Sequence, residues 1–318
     1  MAVLRENRAH LGIMFMCIGM VAISIHDMLL KSLSDSYPLH QIVFTRTLIA
    51  ISISVIILQI EGGFRLLRTN KPWLHALRGS MLVCANMTFF VSLSVLPLGL
   101  TTALFYVAPL LLTLFSAVFL GERVGPLRGG AIVVGFVGVA IMQDPNSMEV
   151  SQGSRWVLIL PVLAAAFYAG MATLTRALGV TSRASAMAIY NQICFLLVSG
   201  AFFVVSGDGG LDPGPDRPSL HFLLRAWDWP SVADWWVLGG MGVLNGILAY
   251  CLSAAYRSAP SATVAPFEFV GLPLAFFWGW LIFAEWPTPA VWTGCALIIS
   301  AGLFVFFRER QLKTRSAA

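Results

Sequence analysis

The chain has 318 residues, of which 58% are hydrophobic and 11% charged, and its mean hydropathy is +0.81. A soluble domain carries roughly twice that charge fraction, and the apolar residues arrive in runs near the ~20 that a bilayer requires, so a water-soluble globular protein is excluded. The net charge of +5 and pI near 9.1 do not point to nucleic acid, because the basic residues lie between apolar runs, where the cytoplasmic excess of Lys and Arg places them.

The runs predict an all-α integral membrane protein with ten transmembrane helices, at 10–30, 39–60, 73–94, 98–119, 127–143, 156–176, 184–206, 235–256, 261–283 and 289–307. Arg5 and Arg8 ahead of the first run give it a superficial likeness to a signal peptide, but it is read as the first span of a repeat. Most connections are short. The exception, Ser206 to Pro230, is rich in Gly, Pro and Asp, and its segment HFLLRAWDW (His221 to Trp229) has the mixed character of a helix lying along the headgroups. All five cysteines, Cys17, Cys84, Cys194, Cys251 and Cys295, fall inside apolar runs and read as small packing residues. With alternate connections on opposite sides, fifteen Lys/Arg fall on one face and only Lys31, Arg155, Arg217 and Arg225 on the other. That bias predicts both termini in the cytoplasm of a multi-pass protein of a bacterial inner membrane.

One stretch occurs twice. PLGLTTALFYVAPLLLTLFSAVFLGE, Pro97 to Glu122, returns 163 positions later as PSATVAPFEFVGLPLAFFWGWLIFAE, Pro260 to Glu285. Each copy opens with proline, carries internal proline (Pro109; Pro266 and Pro273) and closes on a small residue followed by glutamate. A glycine-bearing span follows each, with Gly130 and Gly138 in the first and Gly294 and Gly302 in the second. The expectation is two five-helix repeats, 1–147 and 148–318. An odd number of spans per repeat inverts the second relative to the first, the geometry on which alternating access rests.

An ionisable side chain within a span is costly and is a functional candidate by default. Asp27, Arg46 and Glu268 meet that description. Asp27 and Arg46 lie at similar depths in the first two spans, so they are expected to pair, which makes Arg46 a structural or coupling residue. His26, beside Asp27, is either part of a proton relay or a simple hydrogen-bonder. Glu268 sits among glycine and prolines in a helix expected to kink, where freed carbonyls line a cavity. Asn86, Tyr106, Tyr168, Tyr190, Asn191, Asn245, Tyr250 and Trp278 form a second tier that either faces the cavity or satisfies a neighbouring helix. Glu122 and Glu285 read as structural, each suited to the N-terminus of the next helix. Gly129, Gly130, Gly135 and Gly138, with Gly294 and Gly302, offer small faces for close packing, including a homodimer through spans five and ten.

The inverted halves, the (small)-Glu ends, LGER at 120–123, FAEW at 283–286 and Arg46 together resemble the EamA-type branch of the drug/metabolite transporter superfamily over nearly the whole chain. The stretch DMLLKSLSDSYPLHQIVFTR, Asp27 to Arg46, is similar to the subset that includes S-adenosylmethionine uptake proteins; riboflavin importers and amino-acid exporters belong to the same broad group. The resemblance implies a central cavity lined by spans 1, 3, 4, 6, 8 and 9, with Asp27, Asn86, Tyr106, Tyr168, Asn245, Tyr250 and Glu268 binding substrate. Two intramembrane carboxylates among aromatics favour a cargo with a positive group and an apolar or aromatic part. The cargo is then a small polar metabolite such as S-adenosylmethionine or an amino acid, moved without cofactor or metal. No nucleotide-binding loop is present to make ATP the driver, and no HExxH or GxSxG supports the rival reading of a membrane enzyme. A passive channel is the third possibility, against which the inverted repeat argues.

Overall fold

In lipid the backbone must satisfy its own polar groups within each segment. The computed structural model, which describes residues 9–69, 71–121, 125–143, 156–177, 184–258 and 264–317, is accordingly helical, with no strand among those residues. The helices are α1 (Ala9–Leu33), α2 (Leu39–Glu61), α3 (Pro72–Leu93), α4 (Leu98–Phe105), α5 (Ala108–Leu120), α6 (Pro126–Met142), α7 (Ile159–Ala177), α8 (Ala184–Ser206), α9 (Pro218–Leu224), α10 (Val232–Ser258), α11 (Gly271–Phe283) and α12 (Pro289–Ala317), with 3-10 turns at Phe64–Leu67 and Ala265–Val270. Nine stretches among the described residues are long and apolar enough to cross a membrane, α4 and α5 counting as one, and α6 is a shorter apolar helix of 17 residues. Proline opens α3, α6, α9 and α12, the position where its missing N–H costs nothing.

Proline also explains the break between α4 and α5. Pro109 has no N–H to return to the Phe105 carbonyl, and the helix stops at Phe105 and restarts at Ala108. In the second copy the Ala265–Val270 turn contains Pro266, and α11 restarts at Gly271. Both helices that follow end in a left-handed residue, Gly121 at φ 68° and Ala284 at φ 54°. This is why the residue before each glutamate is small: a Cβ is disfavoured there, and larger side chains more so. Glu122 itself lies outside the described residues.

Helix packing is close where glycine permits it. α1 packs along α10, α3 along α7, α2 along α8 and α6 along α12, and α10 and α3 flank the α2–α8 pair. On α10, Gly242 and Gly246 face α2, and a Cβ built on Gly242 meets the Arg46 carbonyl at 2.9 Å and Ile49 Cβ at 2.6 Å. On α6 and α12, a Cβ on Gly138 would stand 2.8 Å from the Gly294 carbonyl, and one on Gly294 would stand 2.4 Å from the Gly138 carbonyl. The small faces of spans five and ten thus meet each other within one chain, whereas Gly129 and Gly130 have open space.

The 207–231 connection differs from the amphipathic strip expected from its sequence. It folds back onto the α1–α2 end of the bundle. Phe222 on α9 is 2% exposed and joins the core cluster that holds Leu30, Leu93 and Leu98. Arg225 donates to the carbonyls of Ser34 and Asp35 at 2.8 and 2.7 Å, and Tyr37 donates to Asp234 at 2.7 Å. Trp227 stacks on His40 and packs against Phe203. The Asp228 N–H donates to Gln41 at 3.2 Å and the His40 ring lies 3.0 Å from the Leu223 carbonyl, so lying flat in the headgroups would forfeit these contacts with the bundle.

Candidate functional site

The α4–α5 break and the 3-10 turn before α11 place their exposed backbone against each other. Tyr106, at the break, donates its hydroxyl to the Glu268 carbonyl at 2.6 Å and stacks on Phe269 with ring centroids 5.2 Å apart. From α7, Tyr168 meets Phe105 edge-on at 5.7 Å, and Phe105 meets Phe89 of α3 edge-on at 5.3 Å. Tyr106 lies within electrostatic reach of Glu268, Asp27 and Tyr168. Four predicted substrate contacts, Asp27, Tyr106, Tyr168 and Glu268, therefore gather in one region between α1, α4, α7 and the 3-10 turn. Among the described residues the Tyr168 hydroxyl has no hydrogen bond, and its ring is held by the edge-on contact with Phe105.

Asp27 and Arg46 are connected as expected, but through a third residue. Arg46 Nη1 contacts His26 Nε2, and His26 Nδ1 lies 3.0 Å from Asp27 Oδ1. A guanidinium can only donate, so Nε2 accepts and the single ring proton sits on Nδ1, aimed at the carboxylate. The row is thus carboxylate, neutral imidazole, guanidinium, with no net charge. Arg46 is 3% exposed, and its guanidinium carbon lies 5.0 Å from the Phe90 ring centre and 5.7 Å from that of Phe195. Aromatic faces replace part of the hydration that a buried guanidinium gives up.

The remaining candidates are dispersed. Asn86 donates to the Leu82 carbonyl one turn earlier in α3, at 3.1 Å. Asn245 is half-buried in α10. Tyr250 is 47% exposed with its ring edge against Phe15, and no ring contact or hydrogen bond among the described residues joins it to the Tyr106 group. Trp278 donates to Ser24 Oγ at 3.3 Å, tying α11 to α1. Tyr190 donates to the Leu67 carbonyl and packs its ring at a tilt against His75, and Asn191 accepts from Arg78 at 3.2 Å; these two brace α8 against α3 and the turn before it.

Residues 10–143 match the EamA-like transporter family. That stretch is similar to EamA-like transporters. Whole-chain relatives agree: the riboflavin transporter of Rhizobium johnstonii is 28% identical over 313 residues, 98% of this chain and 96% of that protein. The S-adenosylmethionine uptake transporter of Rickettsia prowazekii is 23% identical over 94% of each chain. The pseudopaline exporter of Pseudomonas aeruginosa is 25% identical over 91% of this chain and 94% of its own length. A solved crystal structure superposes on 97% of this chain and 99% of its own with a TM-score of 0.62 at 17% identity, which shows a shared fold.

On this EamA-type scaffold the sequence reading missed one constellation. Lys31, counted there as a loop residue, pairs with Glu285, whose other carboxylate oxygen accepts the Leu98 N–H at 2.8 Å. Glu285 serves the start of α4 rather than the next helix, α12. The repeated (small)-Glu ending was the signal, but it names one partner and leaves the other to the fold.

Proposed function

We propose that the chain is a secondary transporter that moves a small metabolite bearing a planar heteroaromatic ring across a bacterial inner membrane, by alternating access of two inverted five-helix repeats, 1–147 and 148–318, with both termini cytoplasmic. The observation that carries the substrate class is the aromatic surface of Phe89, Phe105 and Tyr168 beside the Tyr106–Phe269 stack. The charge argument from sequence weakens, because Asp27 is already balanced by Arg46 through His26. Ring recognition on the aromatic surface is the better description. Two of the three cargoes named for the relatives fit it: riboflavin is a ring with a hydroxylated chain, and S-adenosylmethionine is a ring with a ribose and a cationic sulfonium.

Matching breaks support the repeat. The offset of 163 residues carries α5 (Ala108–Leu120) onto α11 (Gly271–Phe283) end to end. It also carries Tyr106 onto Phe269, and these two rings stack on each other, as positions beside a pseudo-two-fold axis do. Packing follows the same exchange, α1 on α10 corresponding to α7 on α3. Discontinuous helices at a repeat interface are the usual site of binding in such folds.

The test is ligand-induced thermal stabilisation of the purified protein, which grows by mass action with the logarithm of ligand concentration over Kd. Riboflavin, S-adenosylmethionine, free amino acids and polyamines form the panel. Stabilisation by a ring compound that Tyr168→Ala and Phe105→Ala each weaken supports the reading. Stabilisation by polyamines or basic amino acids without a ring, abolished by Glu268→Gln, replaces it with the cation reading.

A further inference from the structure

Building on the transport reading, we propose that Lys31, Glu285 and the N-terminus of α4 form a latch that closes the path on the side of the 207–231 connection, and that breaking it opens that side. The three parts are far apart in sequence. Lys31 is in the last turn of α1, Leu98 is the first residue of α4, and Glu285 follows the end of α11. Lys31 Nζ donates to Glu285 Oε1 and to the Leu96 carbonyl at 2.7 Å, with the Phe283 ring 5.0 Å away. Glu285 Oε2 takes the N–H of Leu98, an orphan donor at the positive end of a helix. The left-handed Ala284 turns the carboxylate inward, and the Glu285 N–H returns to the Gly279 carbonyl at 2.9 Å.

The physics of this contact suits a switch better than a permanent brace. The Lys31 and Glu285 side chains are 11% and 22% exposed. A shielded ion pair holds while water is excluded, but solvation of its separated charges repays most of what is lost once water enters. The same elements carry the candidate site. Asp27 lies one turn before Lys31 on α1, α4 leads to Tyr106, and Trp278 of α11 holds Ser24 of α1. Phe222 fills the cluster beside Leu30, Leu93 and Leu98, adding an apolar layer to the same closure. Parting α1 and α11 from α4 therefore uncovers the site from this side.

The experiment places a reporter by Ser24→Cys in the full-length protein. Ser24 is 5% exposed and lies ~10 Å along the helix from Lys31. Vesicles of both orientations are treated with a membrane-impermeant maleimide, and modification at position 24 is read by mass spectrometry, which separates it from the five native cysteines. Lys31→Met and Glu285→Gln are each expected to speed labelling from one side about ten-fold or more, a one-decade population shift. Reversing both charges, Lys31→Glu with Glu285→Lys, restores the pair though not the helix cap, so it labels more slowly than either single reversal. Unchanged labelling in the neutral variants, or a double reversal that labels as fast as the singles, overturns the latch. A variant labelled equally from both sides has unfolded, and the reversal comparison then decides. Loss of all ligand stabilisation with a normal labelling response would instead sink the transport reading and leave the latch standing.

Discussion

The Asp27–His26–Arg46 row makes a prediction that separates a charge bridge from a substrate ligand. Replacing Asp27 by Asn leaves the Arg46 guanidinium, 3% exposed, without its counter-charge. Breaking a buried pair from one side costs about 3–5 kcal/mol, and the 14% exposure of the Asp27 side chain argues for the lower end. Replacing Arg46 by Met removes the cation and leaves His26 Nε2 as a buried acceptor without a donor, a loss of about 1–3 kcal/mol. With both changes no net charge is stranded, so the double variant falls short of the sum by about 2 kcal/mol, a coupling of the size neighbours in one network show. The assay is a double-mutant cycle on unfolding in detergent, run with ligand stabilisation by riboflavin and S-adenosylmethionine. If Asp27 acts only within the bridge, Arg46→Met restores ligand binding to Asp27→Asn. Additive losses in stability would refute the bridge. A stable double variant that still binds nothing would make Asp27 a direct substrate contact.

Close packing at glycine supplies a second prediction. Gly242→Ala puts a methyl 2.9 Å from the Arg46 backbone oxygen, and because backbone cannot rotate away, it lowers stability by about 1–3 kcal/mol, measurable as a fall in detergent melting temperature; Gly129→Ala, with open space around it, is the neutral control. Ala284→Gly relieves the one non-glycine residue with positive φ among those described and raises stability by up to about 1 kcal/mol, with Phe283→Gly as a destabilising comparison. On the 207–231 connection, burial pushes the Asp212 carboxyl up, but the His221 ring and the Gly214 N–H outweigh it and hold the group below its ordinary value. A depressed carboxyl stabilises the fold above its unfolded pKa, about 3.9, and that contribution disappears as pH falls through the folded value. Proteolysis of this connection is therefore expected to accelerate below about pH 4, and Asp212→Asn to show the faster cleavage already at neutral pH.

Much of the scaffold was legible because hydropathy measures what a bilayer selects. Runs of apolar residues located the spans to within a few residues of α1, α2 and α8, and proline located the break at Pro109. The repeated small residue before glutamate was visible too, and its reason is the left-handed turn at Gly121 and Ala284. Contacts between distant spans were not legible. Hydropathy says how deep Lys31 lies but not which way it points, and its partner is 254 residues away. Glycine spacing marks a face for close approach without naming the helix that fills it, and Gly138 and Gly294 fill each other's. The His26 bridge was half visible: adjacency to Asp27 was in the sequence, but the reach to Arg46 needed α1 and α2 to be set side by side.

The charges of the interior bear on the proposed substrate class. Asp27 is matched by Arg46 and Glu285 by Lys31, and each match uses the protein's own cation, so neither carboxylate is available without breaking a contact that also joins helices. A strongly cationic cargo that bound at either of these two carboxylates would have to win it from its partner, stranding an arginine or a lysine in a dry interior, at a cost of several kcal/mol. A planar ring faces no such penalty, because it can pack on the aromatic surface that Phe89, Phe105 and Tyr168 build by their edge-on contacts. Ring stacking on such surfaces tolerates changes in the ring. Under the proposed function, polar appendages of a ring compound would be read beside Tyr168, so Tyr168→Phe is expected to narrow the gap in affinity between a flavin and its deoxygenated analogue while leaving ring binding itself intact.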